Sequence, residues 1–133
     1  MNILVTGGAG FIGSNFIHHI LETHKEYNVV NYDKLTYAGN VENHTHIEND
    51  PRYTFVQGDI IDLDRLNETM QKHNITHVIN FAAETHVDRS IHGGCKDFVL
   101  TNVLGTQMIL DAVKTNNITK FVNVSTDEVY GSL

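Results

Sequence analysis

Glycines close to the start of the sequence have the spacing of a phosphate-binding turn. Gly8, Gly10 and Gly13 satisfy the pattern Gly-x-Gly-x-x-Gly. Gly7 satisfies, with the last two, the wider pattern Gly-x-x-Gly-x-x-Gly. Glycine allows a tight turn and a close approach of the backbone to a pyrophosphate, and the following helix would offer free N–H groups and a positive dipole end. The pattern therefore predicts a dinucleotide-binding turn, and a merely structural turn is the alternative.

A carboxylate follows this turn at the distance that a dinucleotide site requires. Asp33 stands 20 residues after Gly13, at the end of an apolar run that is typical of a strand. A carboxylate there accepts hydrogen bonds from the hydroxyls of an adenosine ribose and repels a 2′-phosphate. The residue favours NAD over NADP, although Lys34 weakens the preference and a solvated strand-end aspartate is the alternative.

Two further segments carry groups that suit the same ligand. Asp59, in segment 58–60, can accept a hydrogen bond from an adenine amino group. Segment 81–83, Phe-Ala-Ala, offers small residues against which a flat cofactor can lie. Because ligands of parallel sheets bind at the carboxyl ends of the strands, we expect both segments to lie at the edge that holds the glycine turn.

The segment Ser-Thr-Asp-Glu at 125–128 is the strongest candidate for acid–base chemistry. Asp127 and Glu128 are adjacent carboxylates beside hydroxyl groups, after the last predicted strand. Two carboxylates in different environments can have their pKa values driven apart, so that one is protonated and the other ionised. The alternative is a polar loop in which an aspartate caps a helix.

The periodicity of apolar residues predicts the elements that position these groups. Strands are predicted at 2–6, 28–32, 53–57, 77–81 and 120–124, and helices at 11–24, 62–73 and 95–115. We expect Asp62 to cap the second helix. This alternation predicts an α/β fold, a Rossmann-like, doubly wound parallel sheet that is truncated after its fifth strand. Segment 33–52 is too long for an ordinary connection and is interpreted as a binding loop with one short helix.

Composition excludes several other classes of protein. A length of 133 residues suits one domain, and nine basic against sixteen acidic residues give a net charge of −7, which disfavours nucleic acid and anionic membranes as partners. No secretion signal is present, so we expect a cytoplasmic protein. The single cysteine, Cys95, excludes a disulfide framework. The histidine pairs at 18–19 and at 44 and 46 lack a third ligand at a sensible spacing, so we expect no metal site.

Four motifs together make the sequence resemble a known family. They are TGGAGFIGS at 6–14, DKLTYAGN at 33–40, FAAETHVDRSI at 81–91 and STDEVYG at 125–131. In combination they resemble the dTDP-glucose 4,6-dehydratases of the extended short-chain dehydrogenase/reductase family, over essentially the whole sequence. The glycine motif is shared across that superfamily, whereas the other three motifs are more specific.

The resemblance implies a reaction and the residues that carry it. NAD would oxidise the 4-hydroxyl of a nucleotide-linked glucose, water would leave across carbons 5 and 6, and the hydride would return to carbon 6. Asp127 would protonate the departing 6-hydroxyl, and Glu128 would remove the proton from carbon 5. Thr126 would hydrogen-bond the 4-oxygen, and Thr85 matches a second position that contacts the substrate. The cofactor positions are Gly7, Gly10, Phe11, Ile12, Gly13, Asp33, Lys34, Leu35, Thr36, Asp59, Ile60, Phe81, Ala82, Ala83, Glu84, Thr85 and Thr101.

The resemblance also implies parts that residues 1–133 do not contain. The family's Tyr-x-x-x-Lys helix and its sugar-nucleotide region lie downstream of 125–131. We therefore expect 1–133 to be the N-terminal part of an NAD-binding Rossmann domain, inactive by itself. Helix 95–115 is apolar over about 260° of its circumference, so a second face should meet another helix. The resemblance implies a homodimer there, and burial under another segment of the same protein is the alternative.

Three other functions stay open at this point. A dehydratase of UDP-sugars would share most of the motifs. A nucleotide-sugar 4-epimerase would resemble the glycine turn but carries small residues where this sequence has Asp127 and Glu128. A non-catalytic NAD-binding module would not need the tyrosine and lysine.

Overall fold

The computed structural model of the chain describes residues 1–36, 39–85 and 95–131, apart from the side chains of Val41, Asp127 and Glu128. The strands are β1 (Asn2–Thr6), β2 (Asn28–Asp33), β3 (Tyr53–Gln57), β4 (His77–Asn80) and β5 (Lys120–Asn123). The α-helices are α1 (Phe11–Thr23), α2 (Leu63–Lys72), α3 (Lys96–Phe98) and α4 (Thr106–Thr115), with a π-helix at Val99–Gly105. Two 3₁₀-helices lie at Val41–His44 and Asp127–Tyr130.

The five strands form one parallel sheet in the order β3-β2-β1-β4-β5. The chain moves outward from β1 through β2 to β3, and then returns to the other side of β1 to add β4 and β5. The order therefore reverses between β1 and β4, and a crevice opens there at the carboxyl ends of the strands. The predicted α/β fold is confirmed, with strand bounds within one residue of those expected.

Helices cover both faces of the sheet, as a doubly wound fold requires. Successive strand residues point to opposite faces, so Leu4 lies in one core while Ile3 and Val5 lie in the other. The first core includes side chains of α2 and α4 (Leu66, Met70, Ile109 and Ala112). The second includes side chains of α1 (Ile17, Ile20 and Leu21). Each side chain fully buried in this way contributes about 1.5–3 kcal/mol to folding.

The predicted helix cap and the predicted short helix are also confirmed. Asp62 caps α2, since its Oδ1 accepts a hydrogen bond from the N–H of Arg65 at 2.9 Å. In the described part of segment 33–52 the short helix is the 3₁₀-helix Val41–His44. In the ranges that the structure describes, every helix is too short or too polar to cross a membrane.

The helix predicted at 95–115 differs from the expectation in its middle. Residues Val99–Gly105 form a π-helix, in which the turn is wider than in an α-helix. A Cβ atom on Gly105 would lie 2.6 Å from Cγ1 of Ile60, so the helix passes very close to the loop after β3. Beyond this contact Val99, Val103 and Leu110 are exposed, which agrees with the expected second apolar face.

Candidate functional site

The glycine turn is pressed against the end of β4. Gly7 has a φ of 70°, a left-handed conformation that favours glycine, and its N–H donates to the carbonyl of Tyr32 at 3.0 Å. A Cβ atom on Gly7 would lie 2.5 Å from the backbone nitrogen of Ala82. On Gly13 it would lie 2.8 Å from Cα of Gly8. These two glycines are therefore required by the packing of the turn itself.

Within the described parts of the chain, the N-terminus of α1 has no side-chain cap. Gly10 is its N-cap and supplies no side-chain hydrogen bond, and the first turn of the helix carries no acidic residue. Phe11 and Ile12 are 82% and 62% exposed, so their side chains do not cover the helix end. The N–H groups of a first turn have no partner within their helix, and the dipole there is positive. This end of α1 is suited to bind an anion such as a pyrophosphate.

Asp33 is fixed beside the glycine turn. The residue is buried, with 9% of its surface exposed. Its Oδ2 accepts a hydrogen bond from the N–H of Ala9 at 2.9 Å, and its Oδ1 accepts one from the N–H of Leu35 at 2.8 Å. Leu35 has a φ of 59°, so a left-handed residue turns its N–H back onto the carboxylate. Each oxygen keeps a further lone pair with which it can accept a hydrogen bond from a hydroxyl group.

The next strand end presents a second carboxylate. Lys34 Nζ lies 2.5 Å from Oδ2 of Asp59, and the backbone carbonyl of Asp59 accepts a hydrogen bond from the Tyr32 hydroxyl at 3.0 Å. Burial, and then the charge of Asp62, raise the pKa of the Tyr32 phenol, so the hydroxyl remains a donor. A Cβ atom on Gly58 would lie 2.6 Å from Cε2 of Tyr32. Tyr32 is therefore packed against the loop after β3 at this part of the site.

On the other side of the crevice a helix residue holds the loop after β4. The side chain of Asn102 accepts from the N–H of Glu84 and donates to its carbonyl, both at 2.9 Å. This reciprocal pair ties the π-helix to segment 81–85. It sets the distance between the small residues after β4 and the helix that carries Thr101.

A row of polar side chains crosses the same edge of the sheet. Thr6 Oγ1 donates to Oδ1 of Asn80 at 2.5 Å, and Nδ2 of Asn80 donates to Oδ1 of Asn123 at 2.7 Å. Oδ1 of Asn80 also accepts from the N–H of Ala82 at 3.1 Å. Thr6 and Asn80 are buried. The row fixes the direction in which the chain leaves β4.

A cavity of about 380 Å³ lies at the carboxyl ends of the strands. Most predicted cofactor residues line it: Gly7, Gly10, Asp33, Lys34, Thr36, Asp59, Ile60, Phe81, Ala82, Ala83, Glu84 and Thr101. The lining does not include Phe11, Ile12, Gly13, Leu35 or Thr85. The first three of these form the open first turn of α1, and Thr85 is exposed.

The cavity is also lined by residues that were not among the predicted cofactor residues. They are Tyr32, Gly39, Gly58, Ile61, Asp97 and Leu100. Helical spacing carried a signal for Asp97, because it lies one turn before Thr101. Tyr32 and Gly58 carried no such signal, since their positions depend on the contact between the ends of β2 and β3.

The predicted acid–base segment lies beyond β5 at the same edge. The N–H of Val124 donates to the carbonyl of Asn80 at 3.0 Å, which continues the pairing of β5 with β4. Thr126 is exposed and outside the cavity lining, and Asp127 opens the 3₁₀-helix Asp127–Tyr130. The side chains of Asp127 and Glu128, and residues 86–91 of the third motif, lie outside the described parts of the chain.

A family model and curated relatives of known function match the chain. A family model described as GDP-mannose 4,6-dehydratase matches residues 4–133. A dTDP-glucose 4,6-dehydratase from Streptomyces antibioticus is 50% identical over 138 residues, which cover 100% of this chain and 39% of that protein. The chain spans about two fifths of the length of the curated relatives that it matches.

Solved structures show the same similarity. A crystal structure of dTDP-glucose 4,6-dehydratase from Bacillus anthracis in complex with NAD is 47% identical, with a TM-score of 0.88, and the match covers 100% of this chain and 40% of that one. A UDP-glucose 4-epimerase from Brucella ovis in complex with NAD is 37% identical, with a TM-score of 0.83, and the match covers 98% of this chain and 37% of that one.

Proposed function

The chain belongs to the GDP-mannose 4,6-dehydratase family, and we propose that it forms the cofactor-binding part of an NAD-dependent nucleotide-sugar 4,6-dehydratase. One observation carries the proposal. The carboxylate of Asp33 is hydrogen-bonded to Ala9 inside the glycine turn, beside the open N-terminus of α1. An anion site and a hydroxyl site are thus held next to each other, as the pyrophosphate and ribose of a dinucleotide require.

The residues that line the cavity, with the adjoining first turn of α1, Leu35 and Thr85, fit the parts of NAD. The first turn of α1, with Phe11, Ile12 and Gly13, would hold the pyrophosphate, and Asp33 the adenosine ribose. Asp59 and Ile60 would contact the adenine. The remaining assigned residues would support the ribose side or the nicotinamide half: Gly7, Gly10, Lys34, Leu35, Thr36, Phe81, Ala82, Ala83, Glu84, Thr85 and Thr101.

The charge of the lining supports NAD rather than NADP. Within the described lining Lys34 is the single basic residue, and its ammonium group is paired with Asp59. A 2′-phosphate would therefore meet the buried carboxylate of Asp33 without a free cation to balance it. Equal affinity for the two cofactors would contradict this assignment.

We assign the chemistry on the sugar to the end of β5. Bound NAD would supply a reversible hydride acceptor for carbon 4, and the ketone left there would make the hydrogen on carbon 5 acidic. Glu128 would remove that proton, and Asp127 would protonate the departing 6-hydroxyl. Thr126 would hold the 4-oxygen, and Thr85 would contact the substrate from the loop after β4. The substrate would be dTDP-glucose and the product its 4-keto-6-deoxy derivative.

A second candidate is a nucleotide-sugar 4-epimerase, because the Brucella ovis epimerase shares the fold at 37% identity. An epimerase expels no hydroxyl group and needs no acid for that step. The adjacent Asp127 and Glu128 therefore favour the dehydratase. A UDP-sugar would need the same residues in this part of the site, so the base is assigned from the dTDP-glucose 4,6-dehydratases among the relatives.

The exposed apolar face on the π-helix and α4 is the surface that we assign to a homodimer. Val99 and Val103 are 52% and 65% exposed. Burial of this face under another segment of the same protein would leave a monomer, and light scattering separates the two. A cytoplasmic location stays a prediction from the sequence.

The direct test uses the protein made from the complete coding sequence that contains these residues. Calorimetric titration with NAD and NADP measures the cofactor preference. Incubation with dTDP-glucose or UDP-glucose, followed by detection of the 4-keto-6-deoxy product, measures the reaction and the base preference. Formation of dTDP-galactose or UDP-galactose without a deoxy product would support the epimerase. Cofactor binding without any turnover would support a non-catalytic module. The 133-residue chain alone is expected to show no turnover, and turnover by it would contradict the assignment of residues outside it to the first oxidation.

A further inference from the structure

A buried polar cluster lies directly behind the glycine turn. His44 and Asn31 are 3% and 0% exposed, although both are polar. The His44 ring stacks on Tyr53 with ring centres 5.3 Å apart, and Asn31 is hydrogen-bonded to the Tyr53 hydroxyl at 3.0 Å. Among the described residues, Nδ1 of His44 and Oδ1 of Asn31 have no hydrogen-bond partner. Burial of such groups costs free energy, so the contacts that the cluster does make are of interest.

One contact of this cluster reaches the turn itself. Nε2 of His44 lies 2.8 Å from the carbonyl oxygen of Gly8. Nδ2 of Asn31 lies farther from the same nitrogen, at 3.2 Å. A carbonyl oxygen can only accept, so the shorter contact is satisfied when Nε2 carries the hydrogen, and burial, which lowers the pKa of the ring, favours the neutral form with Nδ1 unprotonated. The next carbonyl along the turn, that of Ala9, accepts from the backbone N–H of Asn40 and from Nδ2 of Asn43, both at 3.1 Å. Three donors from segment 40–44 therefore hold two consecutive carbonyls of the turn.

We propose that His44 is a positioning residue for the pyrophosphate site, which keeps the Gly8 carbonyl turned away from the phosphates by donating its Nε2–H to it. Carbonyl oxygens carry partial negative charge, and a peptide that rotated toward the cavity would repel a phosphate. Segment 40–44 prevents this rotation from behind, while Asp33 holds the same turn through the N–H of Ala9. The proposal rests on the proposed function, since it takes the turn to be the site of the NAD pyrophosphate.

The test compares two replacements of His44 in the protein made from the complete coding sequence. His44→Gln keeps an N–H donor at about the position of Nε2, whereas His44→Leu fills the space without a donor. We expect NAD to bind about fivefold more weakly to His44→Leu, which corresponds to the net contribution of one hydrogen bond, and within about twofold of wild type to His44→Gln. His46→Leu and His46→Gln are matched controls, because His46 is exposed on the same segment, and both should bind like wild type.

Three results would overturn the proposal. The first is NAD affinity in His44→Leu equal to wild type. The second is an equal loss in the leucine and glutamine variants, which would indicate a packing role alone. The third is a spectrum of wild-type His44 at neutral pH whose imidazole nitrogen shifts show the Nδ1–H tautomer instead of the expected Nε2–H tautomer. This spectrum also decides the matter if a variant does not fold.

Failure of the proposed function is distinguishable from failure of this proposal. If wild type does not bind NAD, the proposed function is contradicted. In that case the amide of Gly10, which donates to the carbonyl of Gly7 at 3.2 Å within the turn, still reports on the turn. Faster hydrogen exchange of that amide in His44→Leu than in His44→Gln supports the positioning role, and equal exchange contradicts it.

Discussion

The two ends of the candidate site are held in different ways. At the ends of β1 and β2, Thr6, Tyr32 and Asp33 are buried, and backbone groups of the glycine turn are hydrogen-bonded to Tyr32 and Asp33. At the end of β5, Val122 and Val124 are 40% and 43% exposed. Among the described residues β5 pairs with β4 alone. One half of the site is thus preorganised by its own packing, whereas the described residues at the end of β5 are exposed.

This difference suggests how the work is divided. A cofactor that stays bound through many reaction cycles benefits from a rigid site, because a preorganised site loses little entropy on binding. Groups that act on the substrate must be held as precisely. Ser125 and Thr126 are exposed, so we expect residues outside the described sheet, or the bound substrate, to contribute contacts to these two residues.

The largest effect should come from the end of β5. In the protein made from the complete coding sequence, Asp127→Asn and Glu128→Gln should each slow dehydration by about 10²–10⁴-fold, the usual contribution of a general acid or base. Cofactor affinity should not change, and transient NADH absorbance should show that the first oxidation is less affected than elimination. Asp64→Asn, an exposed carboxylate of α2, is the control. Dehydration at the wild-type rate in both variants would show that neither carboxylate takes part in the reaction.

The second effect tests the packing of the preorganised half. Gly7→Ala combines a left-handed backbone, which costs about 1–2 kcal/mol, with a contact against Ala82 that should add roughly 1–3 kcal/mol. Gly131 has the same φ of 70° with no atom within 4 Å of its virtual Cβ, so Gly131→Ala carries the backbone cost alone. The free energy of unfolding from urea titrations measures both. An equal loss in the two variants would show that the turn is not pressed against β4.

The third effect concerns the charge of the same half. Asp33→Asn should weaken NAD binding about tenfold, because hydrogen bonds to a charged acceptor are the stronger ones. Discrimination against NADP should also decrease. Asp62→Asn makes the same chemical change at an exposed helix cap, where asparagine serves equally well, and it should leave both affinities unchanged. Calorimetric titration measures the affinity for both cofactors. If Asp33→Asn preferred NAD over NADP as strongly as wild type does, the role assigned to Asp33 would be contradicted.

Part of this comparison was available from the sequence. The strands and the glycine turn were predicted because periodicity and local spacing specify them, and Asp33 was found by its distance from Gly13. The π-helix was not predicted, since it depends on the pairing of Asn102 with the loop after β4. The burial of His44 was not predicted either, because nothing in a polar loop indicates which side chain turns inward.

The smallest effect is a change of stability with pH in the preorganised half. Burial lowers the pKa of His44 below its ordinary value of 6.5, the charge of His18 on α1 acts in the same direction, and the Gly8 carbonyl and Asp33 on β2 oppose it. Tyr53 on β3 covers the other side of the ring. The unfolded state therefore binds more protons than the folded state just below pH 6.5, and stability falls as the pH decreases there.

One proton can change stability by at most about 1.4 kcal/mol per pH unit. His44→Gln should reduce the slope between pH 7 and pH 5 in unfolding experiments. His73, whose pKa is also lowered by burial, is present in both proteins, so the difference between them reports on His44. Identical slopes would mean that His44 is not buried as described.

The polar row of Thr6, Asn80 and Asn123 has a consequence for how the sheet assembles. Side chains alternate between the faces of a strand, so a slip of β4 by one residue would turn Asn80 toward the aliphatic side chains under α1. Its amide would lose both Thr6 and Asn123 and stay buried without partners. Aliphatic residues alone tolerate such a slip more easily, since one buried methyl group resembles another. The hydrogen bonds of this row therefore favour the native register of the central strands over misaligned pairings, whether or not a ligand is bound.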